Sequence, residues 1–305
     1  MKLTRRSFLL TAASSALLGT TATASSSMVT TEDLEIVEKE LSLPRLPKEF
    51  DHYRVGFITD IHLGIATSED FVASAVATVT AKNVDLLLLG GDYLWIAESS
   101  LGAYLQPIKN PSFKAIRSNE RLAAHICQRF VSMLPRNEVP DGIFAVYGNH
   151  DRWINPVACE ESFREGPVTL LVNQGVEIKR RESSLLLLGV DDYLTGVPVF
   201  SLPDRDLPGA TLLLCHNPDY LAFLSKAGRL NAVDLALCGH THGGQIKLPL
   251  LGALVANIRN ERFREGLVQE NNTLVYTSRG VGVVELAVRI NCKPEVTILT
   301  LRCES

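Results

Sequence analysis

Five short clusters of potential metal ligands punctuate the chain: Asp60-Ile61-His62, Gly91-Asp92, Gly148-Asn149-His150-Asp151, His216 and Gly239-His240-Thr241-His242. Each follows an apolar, strand-like run, and together they contain five of the seven histidines. Singly, a D-x-H or a G-D is more often a turn or a satisfied polar residue than a ligand. Burying all of them unpaired would cost about 1–3 kcal/mol per group, and buried polar groups are rarely left without partners. A shared pair of divalent cations would satisfy them together. Imidazole, carboxylate and amide oxygen suit Mn, Fe, Zn or Co better than a metal that prefers an all-thiolate shell. Asp92, with two carboxylate oxygens, can bridge ions about 3.5–4 Å apart, a pair that would lower the pKa of a shared water and polarise phosphoryl oxygens.

The elements that must position these groups are short apolar runs at 55–59, 85–89, 142–147, 185–190, 211–215, 234–238, 274–277 and 295–301. Continuous Leu/Val/Ile runs suit strands buried on both faces. Helical stretches are predicted at 69–83, 119–134, 155–165 and 218–230, and the alternation of strand and helix is that of an α/β protein. The clusters then fall at strand carboxyl ends, where α/β sheets bind ligands, and the glycines before Asp92 allow a sharp turn there. Two irregular stretches, 99–118 and 243–266, interrupt the rhythm near site motifs, where lids and binding surfaces are often built. His52 and His125 lie outside the motifs and read as ordinary.

The chain has 305 residues, 46% hydrophobic and 21% charged, with a formal charge of −4. That composition is globular, and the charge provides no general field for nucleic acid. The six cysteines form no C-x-x-C pair. Cys215 and Cys238 end apolar runs and read as small buried hydrophobes, while a disulfide among the others is open in an exported protein. Residues 1–24 combine Lys2, Arg5 and Arg6 with an apolar middle and a small-residue Ala22-Thr23-Ala24 site, the order of an export signal. Thr4 to Leu9 resembles a twin-arginine leader, so the expectation is a protein exported by that machinery or held at the inner membrane. A polar lead-in at 25–50, with an edge strand near 34–41, then precedes one domain at 51–305.

The five motifs, in order, resemble those of the calcineurin-like metallophosphoesterases over nearly all of 53–301. The resemblance implies an α/β fold in which a two-sheet β-sandwich is flanked by helices, four layers α/β/β/α, with a dimetal site at its edge. It implies Asp60, His62 and His242 at one metal, Asn149, His216 and His240 at the second, and Asp92 bridging. It places His150 near the leaving group, donating a proton or stabilising charge, with Asp151 orienting its ring; both are roles a histidine fills near neutral pH. The alternative is that His150 only orders its loop.

Finer features narrow the resemblance. Cys238 to Gln245, then Pro249 and Gly252, Ser278 to Gly282, and Arg289 to Thr297 look like the YkuE/YaeI-like bacterial branch. That branch is similar to a UDP-2,3-diacylglucosamine pyrophosphatase of the lipid A pathway, although the long 99–118 stretch departs from its shorter members. A lipid-linked substrate would need apolar surface, for which Leu101, Tyr104, Leu105 and Phe113 are suitable. It would also need cations for phosphate, for which Arg259, Arg262 and Arg279 are candidates. The other readings are a general exported envelope phosphodiesterase or phosphatase, and a metal-stabilised binding protein without turnover. Export sits uneasily with a nucleotide–lipid precursor made in the cytoplasm.

Overall fold

Four leucines in a row, 86–89, serve two cores at once. Successive side chains of a strand face opposite ways, so Leu86 and Leu88 enter a cluster between two sheets, and Leu87 and Leu89 enter one beneath helices. The same alternation runs through the molecule. The structure is a computed structural model that describes residues 29–64, 66–96, 113–202, 209–254 and 256–304.

The first sheet comprises β1 (Glu35–Leu43), β2 (Tyr53–Ile58), β3 (Leu86–Leu89), β4 (Ile143–Ala145), β5 (Val168–Leu170) and β12 (Glu295–Cys303), in the order β1-β12-β2-β3-β4-β5. The second comprises β6 (Gln174–Arg180), β7 (Ser183–Gly189), β8 (Thr211–Leu214), β9 (Leu235–Cys238), β10 (Gly266–Glu270) and β11 (Thr273–Thr277), in the order β10-β11-β9-β8-β7-β6. Strands β2 to β5 run parallel in the first sheet, and β7, β8, β9 and β11 in the second. Phe57, Leu88, Leu187, Leu212 and Leu237 close the space between the sheets.

Helices α1 (Glu69–Thr80), α2 (Phe113–Ser132), α3 (Asn149–Ile154) and α4 (Pro156–Glu165) follow in the first half of the chain. Val72, Val76, Phe130 and Phe163 from this group pack on Leu87, Leu89 and Ile298 of the first sheet. Helix α5 (Asp219–Lys226) lays Tyr220, Leu221 and Leu224 on Leu213, Ala236 and Val275 of the second. The result is the four-layer α/β/β/α sandwich that the resemblance implied. Among the described residues, no helix is long and apolar enough to cross a membrane.

The edge strand expected near 34–41 within the polar lead-in is present and belongs to the first sheet. Strand β1 pairs with β12 over its whole length, from Glu35↔Glu295 to Leu43↔Cys303, and Leu41, Leu43, Leu46 and Phe50 are buried. The folded domain therefore starts upstream of position 51. Strand β1 is an edge, solvated along much of its length, which is why its sequence looks polar. Strands β5, β6 and β10, absent from the sequence reading, are edges too; half-solvated strands lack the continuous apolar runs of central ones. Residues 113–118, read as part of an irregular stretch, begin α2 instead. Leu101, Tyr104 and Leu105, like the leader at 1–24, lie outside the described residues. Cys215 and Cys238 are buried and free, as expected.

Candidate metal centre

The carboxyl ends of β2, β3 and β4 from one sheet and β8, β9 and β11 from the other meet at one edge of the sandwich. Backbone hydrogen bonds knit their loops together. Asp60 donates to the Gly91 carbonyl at 2.9 Å and His62 to that of Asp92 at 3.0 Å. Across the sheets, Val281 donates to the Thr59 carbonyl and Gly282 to that of Asp60, at 3.1 and 2.7 Å. The His240 N–H reaches the Asp60 carboxylate at 3.0 Å. Two glycines are dictated by this crowding. A Cβ at Gly239 would lie 2.3 Å from Asp60 Oδ2; one at Gly91, where φ is +98°, would lie 2.5 Å from the Gly148 nitrogen.

Five non-glycine residues of the centre are held in the left-handed region: Asp60, His62, Asp92, His240 and His242, with φ of 52°, 45°, 57°, 70° and 51°. Such conformations cost about 1–3 kcal/mol each and persist only where the surroundings fix them. Here the turn that each loop makes at its strand end aims the side chains inward, and all five are buried.

The side chains form two linked groups. Asp60, His62 and His242 present ligand atoms within 4.8 Å of one another, as do Asp92, His216 and His240; a third set, His62, Asp92 and His150, overlaps both. Asp92 joins them through one oxygen: its Oδ2 is 3.5 Å from His62 Nε2 and 3.3 Å from His216 Nε2. Its other oxygen, which the sequence reading left available for bridging, accepts the His150 backbone N–H at 2.8 Å. Asn149 Oδ1 lies 3.2 Å from His216 Nε2. The structure thus brings all seven candidate ligands together at one edge of the sandwich.

Hydrogen bonding and charge fit a pair of cations. His216 Nδ1 lies 2.8 Å from the Gly90 carbonyl. A carbonyl only accepts, so Nδ1 carries the proton, and in the neutral ring the Nε2 lone pair faces the oxygens of Asp92 and Asn149. Three acceptors pointing at one spot require a proton or a metal between them. In the metal-free protein a proton fills that place: burial opposes it, but Asp92 raises His216 well above the ordinary histidine range. Burial alone would raise Asp92, yet His216 and His150 hold it well below the carboxylate range. His62 Nε2 and His242 Nε2 face each other at 3.1 Å. Burial pushes His62 and His240 down to about 3 and His242 well below its usual value, keeping all three in the neutral form that binds metal. Buried His62 Nδ1 and His240 Nε2 have no hydrogen-bond partner among the described residues.

His150 sits beside this centre with its ring 4.8 Å from Trp95, 5.0 Å from His62 and 6.1 Å from Trp153. Asp151 does not orient that ring as expected. Its Oδ2 accepts the N–H groups of Asp92 and Gly148 at 2.7 and 2.8 Å, and its Oδ1 that of Tyr93 at 2.8 Å. As the third residue of α3 it reaches back to the helix start, so its oxygens are spent on backbone. Burial and the nearby Asp92 push its pKa up to about 8 while those donors pull it down.

Two of the three candidate phosphate-binding arginines are otherwise engaged. Arg279 is paired with Glu295 and, at 3.0 Å, with Glu35; Arg262 lies along β10 on Glu270 at 2.6 Å. Arg259 is exposed, and its side chain makes no ion pair among the described residues. The arginine that does meet the centre is Arg289, fully buried. It donates to the carbonyls of Arg279, Gly280 and Gly282, and its Nη2 lies 3.4 Å from His242 Nδ1. It opens the Arg289-to-Thr297 motif, the one sequence signal that could have singled it out.

Comparison with known proteins agrees with this geometry. The model of the calcineurin-like phosphoesterase family matches residues 53–244. Phosphodiesterase YaeI of Escherichia coli is 31% identical over 258 residues, covering 82% of this chain and 82% of that protein. The uncharacterized metallophosphoesterase YkuE of Bacillus subtilis is 28% identical over 278 residues, covering 88% and 86%. With the motifs in order and gathered at one sandwich edge, this chain belongs to the calcineurin-like phosphoesterase family and is a hydrolase.

Proposed function

We propose that the chain hydrolyses a phosphodiester or pyrophosphate bond at two divalent cations, Mn, Fe, Zn or Co. Asp60, His62 and His242 would hold one, Asn149, His216 and His240 the other, and Asp92 would be shared. The observation that carries this reading is the single Asp92 oxygen facing an imidazole of each group. When bound, a cation pair supplies an activated water and neutralises charge on phosphoryl oxygens. The protein's part is to hold the ligands preset on rigid loops and to keep His150 beside them. Burial lowers the His150 pKa, so its neutral ring offers an N–H to the departing oxygen, with packing against the two tryptophans fixing its angle. The similarity to a relative named as a phosphodiesterase supports a diester.

A substrate with a lipid group, of the UDP-2,3-diacylglucosamine type, is the finer reading. It is supported by the short hairpin of Lys247–Leu248 and Gly252–Ala253, which follows the last ligand motif and carries Leu250 and Leu251 at 107% and 73% exposure. Arg259 is the remaining cation for the second phosphate. Chelated protein reloaded with each metal should be assayed on bis-p-nitrophenyl phosphate, p-nitrophenyl phosphate and UDP-2,3-diacylglucosamine. Hydrolysis of the diester is expected with at least one metal, and its absence with every metal sinks the reading. Leu250→Ser with Leu251→Ser should raise KM for the lipid substrate alone; an equal effect on all three substrates would leave a general envelope phosphodiesterase. The residue types of the leader support export by the twin-arginine machinery or membrane anchoring, which protease accessibility of fractionated cells would decide.

A further inference from the structure

The centre uses no cysteine, yet two cysteines stand face to face. Cys127 on α2 and Cys159 on α4 are both sealed from solvent, and their Sγ atoms are 3.0 Å apart. They lie in the cluster that joins these helices to the first sheet. In that cluster the Tyr93 ring stacks on Phe130 at 5.4 Å and meets Phe163 edge-on at 5.0 Å.

We propose that Cys127 and Cys159 join in a disulfide that staples α2 to α4. The two residues are 32 positions apart, and the segment between them carries β4, Asn149, His150 and Asp151. Helix α4 follows α3 through a single residue, Asn155, whose Oδ1 caps α4 by accepting the Ala158 N–H at 3.2 Å. Fixing α4 therefore fixes the exit of α3, whose entrance supplies two side chains of the centre. A cross-link of this span restrains the unfolded chain most strongly around that half of the site.

The chemistry needs an external disulfide oxidant. One thiolate attacks it, expelling one half of the oxidant as a thiolate and giving a mixed disulfide with the other. The second thiolate attacks the protein sulfur of that mixed disulfide and expels the remaining half, so the oxidant departs as two thiols. Two S–H bonds break and one S–S bond forms, with two electrons and two protons passing to the oxidant. In the folded protein the hydrogen bond with Cys127, together with burial, pushes the Cys159 thiol well above its usual value. The bond accordingly forms as α2 and α4 come together, before their packing seals the thiols from the oxidant, and in the folded protein it is shielded from reductants.

Cys215 and Cys238, also neighbours at the ends of β8 and β9, provide an internal control. Full-length, metal-loaded protein should be unfolded, refolded in a reduced and oxidised glutathione buffer, alkylated under denaturing conditions and digested. The expected result is a linked Cys127–Cys159 peptide with the other four of the six cysteines alkylated. The melting temperature should stand roughly 5–10 °C above that of protein unfolded and refolded in dithiothreitol, and Cys127→Ser with Cys159→Ser should abolish that difference. Six alkylated cysteines, or a linked peptide dominated by any other pair, overturns the proposal; because wild-type mapping decides it, a variant that fails to fold does not obscure the answer.

Discussion

The carboxylate of Asp151 takes the backbone N–H of Asp92 at 2.7 Å, while the ring of His150, its neighbour in sequence, rests on Trp95. Asp151 thus ties the loop that supplies the shared oxygen to the loop that supplies Asn149. Asp151→Ala would strand three buried N–H groups, at about 1–3 kcal/mol each. The expected loss is at least about 3 kcal/mol of stability, with metal content falling alongside. Denaturant titration and elemental analysis check both; an unchanged midpoint with impaired turnover would return Asp151 to the task of orienting His150.

His150→Ala should behave differently. The residue contributes its backbone N–H to Asp92, which alanine preserves, so both cations should stay bound. Turnover should drop by about 10²–10⁴, and less with a p-nitrophenolate leaving group, which needs little help to depart. Equal losses for good and poor leaving groups would argue against a role at the departing oxygen.

The shared oxygen makes metal stoichiometry informative. Asp92→Ala should lose both cations, His242→Ala one and His216→Ala the other, as counted per chain after dialysis. If Asp92→Ala still held a full pair, the grouping around its Oδ2 would be wrong.

Acid should weaken the metal-free protein. His62 and His240 titrate near 3 in the folded state because they are buried, against about 6.5 unfolded. Between those values the unfolded chain takes up protons that the folded one refuses, so stability present above about pH 6.5 is lost as pH falls. Asp60 and Asp151 oppose this over part of the range. Burial lifts their carboxyls to about 6 and about 8, above the unfolded value of about 3.9, so there the folded state takes those protons first. His242, which burial also holds well below its usual value, adds to the loss and keeps the net direction. Melting temperature in chelator should fall from pH 6.5 to 3, more steeply below 4, and His62→Gln should flatten the curve. A pH-independent melting temperature would contradict the burial of these rings.

Much of the centre is legible in the linear chain because metal ligands are of few chemical types and sit where apolar runs stop. Asp60, Asp92 and His216 each announce themselves that way. What sequence does not carry is direction. Arg279 reads as a candidate phosphate partner and Arg289 only as the start of a motif, and the packed structure shows the first answered by Glu295 and Glu35 and the second caged by carbonyls beside His242. The same holds for Asp151, for which the family resemblance implied a partnership with His150 that three nearby N–H groups pre-empt. Edge strands such as β6 stayed hidden because half their residues face water, and hydrophobic periodicity is weak where only one side needs covering.

The five left-handed residues of the centre have an evolutionary corollary. At positions 60, 62, 92, 240 and 242 glycine would relieve the backbone and abolish a ligand in the same stroke. A laboratory selection for heat resistance alone would be drawn toward those replacements, and its sturdiest survivors would be inert. Any campaign to toughen this enzyme should therefore screen for turnover at every round, and should seek its gains among the helices and edge strands rather than at the rim of the sandwich.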